Sequence, residues 1–155
     1  MITTRTAAVF DAFTISRTLT ARPARVFGAF ASMEAKAKWF GGGPTWKALI
    51  REMDFRIGGR ERLRGEWGEA RNTTDYQAYY HDIVPDQRII YAYRVLQNDK
   101  LISISLATIE IEPAGSGSKL VLTEQGSFVD GYEDKGSREH GTNELVDRIT
   151  ALVDA

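Results

Sequence analysis

Cysteine is absent from this 155-residue sequence. Its absence excludes disulfide staples, thiolate metal sites and a cysteine nucleophile at one stroke. Histidine occurs only as His81 and His140, which offer no recognisable triad order, and no G-x-S-x-G elbow is present. Long apolar runs are missing too: nothing is long enough to span a bilayer, and the opening MITTRTAAVFDAF has no run of signal-peptide length. A cytoplasmic location is the resulting expectation, and Asn72-Thr73-Thr74 is then a chance match to a glycosylation pattern. Charge of one sign is also lacking. Twenty Lys and Arg face twenty-one Asp and Glu for a formal net charge of −1, so there is no electrostatic footprint for nucleic acid or an acidic membrane.

What is present is ordinary globular composition, 43% hydrophobic and 26% charged. A chain this long buries about 70% of its unfolded surface, enough for one domain over residues 1–155. Residues 10–20 alternate Phe13, Ile15 and Leu19 with polar neighbours, which predicts a first strand. Pro23 suits the first position of a helix carrying Val26, Phe27 and Phe30. Ser32 can cap a second short turn that runs to Trp39-Phe40 and is stopped by Gly41-Gly42-Gly43-Pro44.

From about 46 to 126 the pattern is strands. Leu49, Met53 and Phe55 alternate, and Gly58-Gly59 turns the chain into Arg60–Trp67. Tyr76–Val84 and Arg88–Val95 are joined by the Pro85-Asp86 turn, and Ile102–Ile111 and Lys119–Gln125 flank Gly115-Ser116-Gly117. Within 102–111, Ile102, Ile104 and Leu106 share one phase and Ile109 and Ile111 the other, so a bulge near 106–108 is expected. Hairpin-length links imply antiparallel neighbours. A last helix is expected over 137–154, about 27 Å long. Ser137 would be its cap, and Leu145, Val146, Ile149, Leu152 and Val153 its apolar stripe. The fold class is therefore α+β: a curved antiparallel sheet of six or seven strands around a long C-terminal helix, with two short helices after the first strand. A curled sheet does not seat a straight helix along its whole length, and the gap left is a natural pocket.

The run Pro23…Val26-Phe27…Phe30, Trp39-Phe40, Asp54-Phe55-Arg56-Ile57-Gly58-Gly59 and Ile83-Val84-Pro85…Arg88-Ile89 resembles the START-like (SRPBCC, Bet v 1-like) superfamily. Within it the chain is similar to the branch of the Hsp90 ATPase activator C-terminal domain and the calicheamicin-resistance protein. Glu124-Gln125-Gly126…Asp130-Gly131…Arg138-Glu139-His140-Gly141, followed by Leu145-Val146-Asp147, resembles the same branch. The resemblance covers about 10–153. It implies a helix-grip fold with a cavity between sheet and C-terminal helix, and binding of apolar small molecules, some members acting as cyclases or self-sacrificing protectors. Many members of the wider branch carry tryptophan after the helix glycine; here Thr142 follows Gly141, which would widen or polarise that end.

Several residues are candidates for chemistry. Gly41-Gly42-Gly43 lacks the lysine and the strand–loop–helix context of a phosphate cradle, and reads as a helix stop that could gate a cavity mouth. His140 and Glu144 share a helix face, but two ligands do not make a metal site, and no metal or cofactor is expected. His81 beside Asp82 could act as a base, though no nucleophile accompanies it. Period two puts Glu124 inward with Leu120 and Leu122, and Arg17 inward with Phe13, Ile15 and Leu19. An Arg17–Glu124 pair, structural or ligand-orienting, is the expectation. Tyr76, Tyr79, Tyr80, Tyr91 and Tyr93 crowd two strands, where aromatics commonly pair; Tyr91 and Tyr93 share the phase of Ile89 and Val95, so some of the hydroxyls would furnish phenol handles on an apolar wall. Gly141 costs about 1 kcal/mol relative to alanine inside a helix, so either the helix approaches a strand closely there or space is left for a ligand.

The function expected is binding of an apolar or aromatic small molecule. The lining would be Phe30, Trp39, Phe55, Tyr80, Tyr91, Tyr93, Leu122, Glu124, Gly141, Thr142, Leu145, Val146 and Ile149. An alternative is a polyketide-cyclase-like or hydratase-like enzyme using Glu124, Arg17 or Asp82. An Hsp90 co-chaperone-like interaction module is suggested by the family name alone, so a chaperone partner is not expected. A homodimer is left open.

Overall fold

The computed structural model describes residues 7–155; the first six residues of the N-terminal segment read above against a signal peptide, Met1–Thr6, lie outside them. The elements run β1 (Ala8–Leu19), α1 (Pro23–Gly28), α2 (Met33–Ala37), β2 (Trp46–Met53), β3 (Arg60–Trp67), β4 (Asn72–Val84), β5 (Arg88–Gln97), β6 (Lys100–Ala114), β7 (Gly117–Val129) and α3 (Lys135–Val153). All seven strands form one antiparallel sheet in the order β1-β7-β6-β5-β4-β3-β2. The long hairpins wind the chain back and forth, and the β1–α1–α2 stretch carries it from one edge of the sheet to the other. The result is the curved sheet gripping α3 that the alternation and the hairpin turns predict. No described helix is long and apolar enough to cross a membrane.

Local chemistry explains the helix starts. α1 opens on Pro23 with no side-chain cap from Arg22. α2 is capped by Ser32, whose hydroxyl accepts from the Ala35 amide at 3.1 Å. α3 departs from expectation: Asp134 is its cap, accepting from the Ser137 amide at 2.8 Å. Ser137 is thus the capped residue, three positions in. A carboxylate suits the cap because it also faces the positive end of the helix dipole. Asp130 and Gly131, both at positive φ (58° and 72°), turn the chain out of β7 just before it.

The period-two reading holds for most of the concave face. Phe13, Ile15, Leu19, Leu120 and Leu122 are buried there beneath Val146, Ile149 and Val153 of α3. β6 differs from its predicted register. Its irregularity lies between the pairs Val95–Ser103 and Leu96–Leu101, which leaves Ile102 as the extra residue, not at 106–108. Beyond it Ser103, Ser105, Ala107, Ile109 and Ile111 all face inward, while Ile104 and Leu106 point to solvent. One extra residue at the strand start flips the phase of everything after it, as the pleat requires. A similar irregularity between Ala48 and Ile50 turns Leu49 outward.

α3 is fastened firmly at one end. The Asp154 carboxylate accepts from the Thr20 and Ala21 amides at 3.2 and 3.0 Å, and Arg25 donates to the Val153 carbonyl at 2.6 Å. Its last turn therefore closes on the apolar core, and the space between helix and sheet lies beneath the Arg138–Ile149 stretch.

Candidate functional site

That space is a cavity of about 630 Å³. Its helix wall is Arg138, Gly141, Thr142, Leu145, Val146 and Ile149; its floor includes Tyr76, Tyr91, Tyr93, Leu122 and Glu124; and Phe30, Lys36, Trp39 and Phe40 close one flank. Cross-strand registers explain the floor. Glu124, Ala107, Tyr91 and Tyr80 stand side by side in one row, and Gly126, Ser105, Tyr93, Ala78 and Glu61 in the next. Small residues alternate with tyrosines, so the rings lean over their neighbours and meet. Tyr76–Tyr93 centroids are 5.0 Å apart and Tyr91–Tyr93 centroids 6.0 Å.

Two polar clusters are set into these walls. In the first, Arg138 donates through Nη1 to the Tyr93 hydroxyl at 2.8 Å and to Ser105 and Glu124 at 3.3 Å each. Its Nη2 reaches Ser103 and Glu133 at 2.7 Å each, and Nε reaches Glu133 at 3.0 Å. Tyr93 in turn donates to Glu124 at 2.5 Å. Burial pushes the Glu124 carboxyl above its ordinary pKa, only partly offset by Tyr93 and Arg138. Burial alone would lower the Arg138 pKa, but Tyr93, Glu133 and Glu124 outweigh it and the guanidinium is held more firmly protonated. In the second cluster the Lys36 ammonium meets Glu61 at 2.5 Å, and the Tyr80 hydroxyl donates to the same oxygen at 2.6 Å. Lys36 also lies 5.1–5.7 Å from the ring centroids of Trp39, Phe40, Tyr76 and Tyr91.

The mouth is edged by Gly41, Gly42 and Gly43 with Trp46 and Trp67. Arg148 donates to the Gly41 carbonyl at 3.2 Å, and Arg51 to the Phe40 carbonyl at 2.9 Å. The Trp46 indole fills the places where a Cβ of Gly42 or Gly65 would stand, so both positions must be glycine for it to seat. At Gly141 the reverse holds. A Cβ there would meet nothing within 4 Å, so of the two explanations for this helix glycine, close approach to a strand is excluded and open space remains.

Of the residues expected at a cavity, Phe30, Trp39, Tyr91, Tyr93, Leu122, Glu124, Gly141, Thr142, Leu145, Val146 and Ile149 are gathered around this one. Phe55 and Tyr80 are not. They pack against each other at 5.0 Å, with Phe27 of α1 on Phe55 at 5.7 Å, in the part of the core that α1 fills. Thr142 spends its hydroxyl on the Arg138 carbonyl at 2.8 Å.

The Arg17–Glu124 pair does not form. Glu124 stands opposite Phe13, whereas Arg17 stands opposite Leu120 four residues along, and binds Asn143 and Asp147 on the flank of α3 at 2.8 and 3.3 Å. Asp82 is paired with Arg88 at 2.5 Å away from the cavity, and His81 is exposed. His140 and Glu144 form an exposed pair at 3.1 Å, and among the described residues no group of three His, Asp or Glu side chains is placed to hold a metal ion.

Lys36, Arg138 and Glu133 are polar groups of the cavity wall that sequence patterning did not single out, with Glu61, Ser103 and Ser105 as hydrogen-bond partners behind them. Two signals in the sequence point to Glu61 and Arg138. Glu61 is in phase with Leu63 on β3, and stepping back by four from Val146 gives Thr142 and then Arg138 on the buried stripe of α3.

The family model for activator of Hsp90 ATPase homolog 1-like proteins matches residues 20–154. A solved structure from Rhizobium leguminosarum is 41% identical, with 97% of this chain and 98% of that one covered and a TM-score of 0.90. Mll3558 from Rhizobium loti is 38% identical, with 94% and 98% covered and a TM-score of 0.84. CalU16 from Micromonospora echinospora is 15% identical over 97% of this chain and 87% of its own, with a TM-score of 0.65, a likeness of fold alone. None of the curated proteins matches the chain. With a helix-grip architecture and a family match over nearly its whole length, the chain belongs to the activator of Hsp90 ATPase homolog 1-like (AHSA1) family of START-like proteins.

Proposed function

We propose that the protein binds an apolar, aromatic small molecule between the sheet and the Arg138–Ile149 stretch of α3. The observation that carries this reading is the cavity itself. Its volume of about 630 Å³ falls in the range of roughly 300–1,000 Å³ typical of small-molecule sites. Its lining is aromatic and aliphatic over most of its area, with polar groups such as Lys36, Glu124 and Arg138 set among the rings, the composition that buries a flat ring system and orients it. Open space at Gly141 supports the same reading, since a helix glycine there costs about 1 kcal/mol and brings no closer packing in return.

The chain's three tryptophans, Trp39, Trp46 and Trp67, all border the cavity, so their emission reports its occupancy. Titration with the neutral dye N-phenyl-1-naphthylamine should give saturable dye emission with one site per chain, sensitised by tryptophan excitation. No enhancement up to the dye's solubility limit would sink the reading.

A further inference from the structure

Only one of the two charge pairs at the cavity is saturated. Arg138 makes six hydrogen bonds to Tyr93, Ser103, Ser105, Glu124 and Glu133, and its guanidinium has no donor left over for a guest. Lys36 is different. An ammonium carries three N–H donors, and Glu61 is its single acceptor among the described hydrogen bonds. The side chain is 5% exposed and lines the cavity, so water does not take up the remaining donors freely. The rings around it attract the charge, but an oxygen placed on the N–H axis would do better.

We propose that Lys36 is the polar reader of this site and that it selects a neutral aromatic compound bearing a carbonyl oxygen. This rests on the binding reading above and names the ligand's chemistry. The four rings about the ammonium, Trp39, Phe40, Tyr76 and Tyr91, all line the cavity, so a flat guest lying among them brings a ring substituent within reach of Nζ. Charge balance then chooses the substituent. Lys36 and Glu61 already cancel, and a carboxylate or phenolate would enter a low-dielectric site as an uncompensated charge. A carbonyl oxygen accepts from the ammonium and adds no charge. A hydrocarbon of the same shape leaves the donors unmet, which is how a buried polar group rejects an analogue that lacks its partner.

The test uses 9-fluorenone, fluorene and fluorene-9-carboxylate, near-isosteric three-ring compounds, as competitors of N-phenyl-1-naphthylamine. Fluorenone should displace the dye at about tenfold lower concentration than fluorene, the worth of a hydrogen bond to a charged donor, and the carboxylate should be the weakest. The infrared carbonyl stretch of bound fluorenone should lie below its value in hexane. In the double variant Lys36→Met/Glu61→Gln, which keeps an acceptor for Tyr80, the preference should fall to about one and the stretch should revert. Should that variant fail to fold, the stretch on the wild-type protein decides alone. Equal displacement by fluorenone and fluorene with an unshifted stretch overturns the proposal and leaves the binding reading standing, as does preference for the carboxylate. If the dye itself does not bind, the binding reading falls and takes the proposal with it.

Discussion

The Glu61 and Glu124 sites are built to one plan and finished differently. Each glutamate stands on an inward row of the sheet, accepts from a tyrosine hydroxyl (Tyr80 or Tyr93), and faces a cation delivered by a helix. At Glu124 the cation is Arg138, a rigid fork whose donors match fixed oxygens on β5, β6, β7 and the turn before α3. At Glu61 it is Lys36, a point charge ringed by aromatic faces and given one oxygen. The difference separates structure from recognition. A fully satisfied network locks the N-terminal end of α3 to the sheet, while an incompletely satisfied one holds a donor ready for a guest.

Breaking each pair should therefore have unequal effects. Arg138→Met strands two glutamates that are 18% exposed or less at their side chains, and should cost about 4–5 kcal/mol in urea unfolding, the upper range for a broken buried pair. Lys36→Met strands only Glu61, which keeps the Tyr80 hydroxyl, and should cost about 3 kcal/mol. Adding Glu61→Gln should recover most of that loss, because no buried charge then remains. Equal losses for Arg138→Met and Lys36→Met would erase the distinction drawn here.

A smaller effect concerns pH. Burial raises the Glu124 carboxyl above its unfolded value near 4.3, so its contribution is fully present below that value and is lost as pH rises through the folded one. Asp75 behaves oppositely. Burial would raise it too, but hydrogen bonds from Arg62 and Arg64 win and hold it low, so its contribution is present above about 3.9 and is lost as pH falls through the lowered value. Stability of the wild type relative to Glu124→Gln should decline as pH rises above about 4, and relative to Asp75→Asn should climb as pH rises toward about 4. Slopes of the same sign would contradict these environments.

The sequence made the architecture readable because its signals are local. Pro23, Ser32 and the Gly115 hairpin mark element ends, and alternation marks faces. It also placed Glu124 inward, but matched it with the wrong arginine. Arg17 and Arg138 both lie in phase with apolar neighbours, and only the β1–β7 register, which sets Phe13 opposite Glu124, tells them apart. Lys36 was hidden for a different reason. Its helix, Met33–Ala37, is too short for a face to be read from periodicity, and its partner Glu61 lies on a strand that meets it only in the folded chain. Glu61 itself was reachable by the same period-two argument that found Glu124. The irregularity at Ile102 was misplaced because strand phase alone shows that a residue is extra, not which one.

If the gap beneath Gly141 is a ligand site rather than slack packing, Gly141→Leu should close it to a guest without harming the fold. Leucine removes the glycine penalty of about 1 kcal/mol, its Cβ would meet nothing within 4 Å, and its remaining carbons would occupy cavity space. The expected result is an unchanged or higher melting temperature together with at least a tenfold loss of affinity for N-phenyl-1-naphthylamine. Undiminished dye affinity in a well-folded Gly141→Leu protein would contradict it.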